Sequence, residues 1–145
     1  MKKSIELHDN LQALLTGEAN AIHLYDKFIP EIKDPELMTG FQEIRSGHRR
    51  HLDQLTRRME ELNFKPEIKP NLTMKLSQLL IDLRTSIGIA PEKMVKWAVK
   101  GEEMGIEAGS EIVTDDLDEV SKELVDNMLL EINEFINKLN NFVRE

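Results

Sequence analysis

The chain has no cysteine, one tryptophan, one tyrosine, five phenylalanines, seven glycines and five prolines in 145 residues. Without cysteine it has no disulfides, zinc ribbons, iron–sulfur clusters or thiol nucleophiles. No stretch approaches the roughly 18–20 uninterrupted apolar residues that span a bilayer. The first ten residues also lack the apolar run of a secretory leader. No membrane partner and a cytoplasmic location are therefore expected. Basic charge is scarce as well: 19 Lys and Arg face 27 Asp and Glu, for a formal net charge of −8. The deficit is concentrated, since Glu102 to Glu145 carries 13 acidic residues and 3 basic ones. A chain with so little basic surface is a poor ligand for phosphate backbones, so no nucleic-acid partner is expected.

What is present is a core and a helical period. With 40% hydrophobic and 32% charged residues, a chain of this length can bury one domain's core without a covalent staple. Apolar residues recur at three and four, and β-branched alternation is absent, so residues 1–145 read as a single all-α domain. Ser4 is a candidate cap for a first helix over about 4–29, stopped by Pro30. Asp34-Pro35-Glu36 places an acid at the cap, proline at the first helical position and an acid in the first turn, opening a helix over about 35–62. Pro66 and Pro70 make the next segment extended. Within the crossing of 64–90, Asn71 is a candidate cap for a short helix over about 72–86, ended by Gly88. Pro91 opens a long helix to about 113. Thr114, Asp115 and Asp116 offer caps for a last helix over about 117–143. Four long helices in two tight pairs, joined by a long crossing, is a four-helix-bundle pattern.

Charged residues interrupt its seams. The first helix steps through Leu11, Leu14, Glu18, Ala21 or Ile22, Tyr25 and Phe28. The second steps through Leu37, Phe41, Ile44, His48, His51, Leu55, Met59 and Leu62. The third long helix gives Val95, Val99, Glu102, Ile106, Gly109 and Val113, with Glu103 outward. The last has two stripes one residue apart, Val125-Leu129-Ile132-Ile136-Leu139-Val143 and Leu124-Met128-Glu131-Phe135-Phe142, with Glu134 nearer the polar edge. A carboxylate in a dry core must be paired, hydrogen-bonded or bound to a cation. Spacing favours a cation. Glu18 precedes His48 and His51 by 30 and 33 residues, and Glu102 precedes Glu131 and Glu134 by 29 and 32. In antiparallel hairpins such spacings bring groups to one height. Four glutamates also balance two divalent cations, and mixed oxygen and imidazole donors suit iron, manganese or zinc.

The stretch Glu18-Ala19-Asn20-Ala21-Ile22-His23-Leu24-Tyr25 resembles the first helix of rubrerythrins and bacterioferritins, with a ligand Glu, a small residue three on and a Tyr seven on. Phe41 to Leu55 resembles the second helix of that family, although His48-Arg49-Arg50-His51 stands where Glu-x-x-His is usual. Gly101-Glu102 resembles the third-helix ligand, and Glu131-Ile132-Asn133-Glu134 replaces the fourth-helix Glu-x-x-His. The resemblance implies a ferritin-like antiparallel four-helix bundle, in an atypical branch. It also implies a dinuclear centre, iron first and manganese or zinc otherwise, held by Glu18, His48, His51, Glu102, Glu131 and Glu134. Tyr25 would be a donor to a bridging carboxylate. Iron oxidation or reduction of oxygen or peroxide is the implied chemistry, and self-association is implied with it. No methionine beside His51 suggests a bacterioferritin-like haem ligand, so no haem is expected.

Two other readings stand beside this one. The first is a metal-free structural or interaction bundle, its buried Glu and His paired with each other or with Arg45 or Arg49. The second is a single zinc or nickel ion held by the two histidines and one or two glutamates. Gly101, Gly105 and Gly109 form a small-residue stripe read first as close packing and second as room for a substrate. Arg45, Arg49, Arg50, Arg57 and Arg58 read as a solvated face, and His8 and His23 as surface residues.

Overall fold

A computed structural model of the chain describes residues 2–85, 88–113 and 117–143. Among the described residues five α-helices follow one another: α1 (Lys2–Phe28), α2 (Pro35–Glu61), α3 (Met74–Thr85), α4 (Pro91–Val113) and α5 (Glu119–Asn141). The pairs α1–α2 and α4–α5 run antiparallel and pack most extensively, and α3 lies in the crossing between them. The fold is thus the all-α four-helix bundle with a crossing helix that the periodicity predicts. Among the described residues no helix is long and apolar enough to cross a membrane.

The punctuation works mostly as expected. The Asp34 side chain accepts from the Glu36 N–H, and Pro35 occupies the first helical position of α2. After Phe28 the chain tightens into a 3-10 turn over Ile29–Glu31, which contains Pro30. At the other end of α2, Asn63 adopts φ 63°. There the Phe64 and Asn63 N–H groups reach back to the Met59 and Glu60 carbonyls at 2.8 and 2.9 Å. This left-handed cap satisfies carbonyls that the helix end would otherwise leave open.

Four expectations at the helix ends need correction. Ser4 lies inside α1, which begins at Lys2. Thr73, not Asn71, caps α3, its hydroxyl accepting from the Leu76 N–H at 3.3 Å. Asn71 instead belongs to a clamp: the Asn20 side chain accepts from the Asn71 N–H at 2.8 Å and donates to its carbonyl at 3.3 Å. Gln12 grips the backbone of Glu67 in the same two-ended way, at 2.9 and 3.0 Å, so two amides of α1 hold the extended crossing in register. The last helix starts at Glu119 behind Asp118 and ends at Asn141, shorter by two residues at each end than the sequence pattern suggests. Thr114, Asp115, Asp116 and Ser86 lie outside the described residues.

The core falls into two apolar clusters. One gathers around Tyr25, Phe28, Phe41, Ile44, Val95 and Leu139. The other comprises Leu11, Leu15, Leu55, Met59 and Met128. Glu18, His48, His51 and Glu102 are all buried. In sequence Glu18 lies between Leu15 and Tyr25, and the histidines between Ile44 and Leu55. A polar layer therefore separates the two hydrophobic ends of the bundle. Two glycines of α2 let aromatic rings come close: a Cβ at Gly47, beside this layer, would fall 2.3 Å from Phe135 of α5, and one at Gly40, two turns away, would fall 2.3 Å from Phe142 just beyond α5.

Candidate metal centre

α1 and α2 contribute the centre of the layer. Their seam positions face one another, and the α1–α2 turn sets Glu18 opposite both histidines. Glu18 Oε2 lies 2.5 Å from His48 Nδ1, and its other oxygen, Oε1, lies 3.3 Å from His51 Nδ1. The second ring nitrogens point to the opposite hairpin. His48 Nε2 lies 2.9 and 2.8 Å from the two Glu102 oxygens, and His51 Nε2 lies 2.7 Å from Glu131 Oε1. Carboxylate and imidazole thus alternate in one unbroken chain: Glu102, His48, Glu18, His51, Glu131.

Both ends of that chain are terminated. The Tyr25 hydroxyl donates to Glu102 Oε2 at 2.6 Å inside the core. At the surface end, an Arg50 guanidinium nitrogen donates to Glu131 Oε1 at 3.0 Å. The Tyr25 ring stacks on His48 with centroids 5.8 Å apart, and Phe135 lies against both imidazoles at 5.2 and 5.9 Å. These rings exclude water from the histidines and limit how far they can rotate.

The electrostatics follow from the pairing. Burial acts to lower the basicity of His48, but the carboxylates of Glu102 and Glu18 outweigh it and hold its pKa up at about 10. Burial also acts to raise the Glu18 pKa, and the facing histidines, His48 above all, overcome it and bring it to about 2. Burial and the Glu102 charge push the Tyr25 hydroxyl well above its usual value, so it remains a hydrogen-bond donor. Without a metal ion, His48 is an imidazolium between two carboxylates.

The donor chemistry fits a cation. Glu18, His48 and His51 are all buried, and each offers a ligand atom within 4.8 Å of the others. One carboxylate and two imidazoles form a mixed set suited to zinc, iron or manganese. The nitrogens facing Glu18 are both Nδ1, which leaves each Nε2 hydrogen-bonded to a carboxylate of the other hairpin. Metal-binding histidines are commonly oriented by a carboxylate at their second nitrogen in this way.

The other expected positions vary in how they join. Glu102 is buried and meets His48. The Glu131 side chain is 34% exposed and meets His51 from the edge of its helix. Glu134 is exposed and lies apart from the layer, in a shallow surface depression with Asn137, Lys138 and Asn141. Arg45 and Arg49, considered above as partners for buried glutamates, pair instead with Asp26. Arg50 is the participant that the sequence reading missed. Its only signal was its place beside His51, inside an arginine run that otherwise looks solvated. Arg58 also departs from the solvated reading: its side chain is 14% exposed and reaches Asp118 at 2.5 Å and Ser121 at 3.0 Å. His8 and His23 are partly buried rather than on the open surface.

With this geometry in view, comparison with known proteins identifies the class. The chain belongs to the family described as "Domain of unknown function (DUF2383)", whose pattern matches residues 6–115. Its fold is that of the ferritin-like superfamily. A ferritin-like diiron-carboxylate protein from Bacillus anthracis shares 16% identity at a TM-score of 0.76, with 99% of each chain covered. A bacterioferritin from Desulfovibrio desulfuricans, solved with its diiron site in different catalytic states, shares 19% identity at a TM-score of 0.81, covering 97% of this chain and 80% of its own. A Dps1 mutant from Mycobacterium smegmatis shares 18% identity at a TM-score of 0.79, covering 99% and 98%. No curated protein matches in sequence.

Proposed function

We propose that this protein is a ferritin-like metal-binding protein whose primary site is formed by Glu18, His48 and His51. The observation that carries this reading is the convergence of three buried ligand atoms within 4.8 Å. Their pairing with Glu102 and Glu131 supports it, because those carboxylates orient the imidazoles by accepting hydrogen bonds from Nε2–H and leave Nδ1, the nitrogen beside Glu18, as the one that would bind. To act as a ligand His48 would have to give up its Nδ1 proton, so metal uptake would be accompanied by proton release. Zinc or nickel at this site would be structural or Lewis-acidic, whereas iron or manganese would add redox chemistry.

A two-cation form is the second reading, favoured by the diiron-carboxylate and bacterioferritin structures that share the fold. It recruits Glu102 and Glu131 as ligands, and Glu134 would join them only with a rotation of α5 about its axis. Its activity is oxidation of ferrous iron by oxygen or peroxide, with Tyr25 positioning Glu102. Self-association belongs to the same reading, since one protein sharing the fold is described as a dodecameric thioferritin.

The test is metal analysis of untagged protein purified without chelator. About one equivalent, lost in Glu18→Ala, supports the primary reading. About two equivalents of iron, with turnover of ferrous iron and oxygen, supports the second. No metal at all, with stability unchanged by chelation, would return the layer to a self-satisfied Glu–His network.

A further inference from the structure

A half-enclosed cavity of about 880 Å³ lies between α1, α4 and α5, with the start of α3 at its mouth and Glu18, Tyr25, His48 and Glu102 among its lining residues. Engineered apolar cavities that stay dry are on the order of 150 Å³, whereas pockets for small molecules run from about 300 to 1,000 Å³. The space here is of the second kind, and it arises because α1 and α4 meet far less than the two hairpin pairs do.

The helical glycines differ in what a side chain would meet. At Gly40, Gly47 and Gly109 a Cβ would collide with Phe142, Phe135 and Leu129 at 2.3, 2.3 and 2.7 Å, so packing explains them. At Gly17 and Gly105 a Cβ would meet nothing within 4 Å, and at Gly101 only Leu24 at 3.9 Å. Like Gly109, where Leu129 closes the wall, all three of these line the cavity. Mid-helix glycine is costly compared with alanine, and close packing gives no return for that cost at these positions. They keep a wall of the cavity bare.

Charge narrows the choice of occupant. The acidic and basic side chains lining the cavity are Asp9, Glu18 and Glu102 against His48 and Lys75, with the neutral Tyr25 hydroxyl among them. At the deep end Glu18 and Glu102 are already held by His48, His51 and Tyr25, and their remaining lone pairs can accept a hydrogen bond; counted with Asp9, the carboxylates outnumber the cations of the lining and disfavour an anion. We propose that the cavity binds a neutral, largely apolar small molecule whose one polar end is a hydrogen-bond donor, such as a phenolic or alcoholic hydroxyl, directed at Glu102 and Glu18. Met74, 91% exposed at the mouth, then covers the apolar body of the ligand. This proposal does not rest on metal binding, because the apolar walls and the carboxylates are present either way.

The experiment uses the full chain, with and without chelator, and the neutral fluorophore N-phenyl-1-naphthylamine. The expected result is saturable binding in both preparations, displaced by 1-naphthol and not by 1-naphthoate at equal concentration. Gly105→Leu and, independently, Ala108→Phe should weaken binding at least tenfold without lowering the melting temperature. Gly105→Leu has open space and a better helix former, so it should fold. Absence of saturable binding, unchanged affinity in both folded variants, or stronger displacement by the anion would overturn the proposal. So would variants that alter only the sedimentation behaviour, since the cavity wall would then be a surface between copies of the chain. Failure of the metal reading is scored separately, by metal content.

Discussion

The two hairpins carry matched spacings and unequal chemistry. In α1–α2, Glu18, His48 and His51 all lie inside the bundle, each touching another of the three. In α4–α5, Glu102 is buried, Glu131 is partly exposed and Glu134 faces solvent. The difference comes from helix phase. The buried apolar positions of α5 are Val125, Met128, Ile132, Phe135 and Leu139, a line that zigzags between the two stripes visible in the sequence. At about 100° per residue, Glu131 is roughly 80° from the centre of that line and Glu134 roughly 140°. Equal distance from a turn gives equal height, but phase decides whether a side chain at that height reaches the centre.

Substitutions at the two hairpins should separate them. The largest effect is expected for Glu18→Ala, which removes the shared partner of both histidines. Metal content should fall to background, and loss of the buried charge partner should cost about 3–5 kcal/mol in urea unfolding of the metal-free protein. An equally low-metal Glu134→Ala would restore the symmetry that the structure breaks. Next, Gly47→Ala should destabilise by roughly 1–3 kcal/mol, because the new methyl group displaces Phe135 from the histidines. Tyr25→Phe removes a buried hydrogen bond to the Glu102 carboxylate, which keeps His48 as its remaining partner, and should cost about 1–3 kcal/mol, with a shift in the pH dependence of metal uptake. Glu134→Ala, at an exposed position, should stay within about 0.5 kcal/mol of the parent and keep the parent's metal content.

A pH titration sharpens the same contrast in chelator-treated protein. His48 has its pKa raised from 6.5 to about 10, so its contribution to stability is complete below 6.5 and disappears as the pH rises toward 10. Glu18 is lowered from 4.5 to about 2, so its contribution is complete above 4.5 and disappears as the pH falls toward 2. Stability from the α1–α2 pair should therefore be fullest between these limits and decline on either side. Urea midpoints measured across that range check it, and His48→Gln should abolish the alkaline decline.

The arginine run shows where sequence reading stops. Arg45, Arg49, Arg50, Arg57 and Arg58 share one helix and one chemistry. Yet Arg45 and Arg49 answer Asp26 across α1, Arg50 closes the polar layer on Glu131, Arg57 pairs with Asp53 within its own helix, and Arg58 is drawn in against Asp118 and Ser121. A long flexible side chain takes whichever partner the neighbouring helix supplies, and that partner lies 60 or more residues away for Arg58 and Arg50. The seam residues are different. His48 and His51 occupy two positions of a seam that is apolar on either side of them, so their inward direction follows from the 3.6-residue turn alone.

Composition and periodicity by themselves determined an all-α chain, its helix order and the inward placement of Glu18, His48, His51 and Glu102, because burial of an apolar stripe fixes which face of a helix turns inward. Only the tertiary structure decided that Glu131 reaches the layer from the side while Glu134 does not, that Arg50 ends the carboxylate–imidazole chain, and that Gly109 is packed while Gly101 and Gly105 border open space. Each of those outcomes depends on the rotation and separation of two helices relative to one another, which no single helix's sequence encodes.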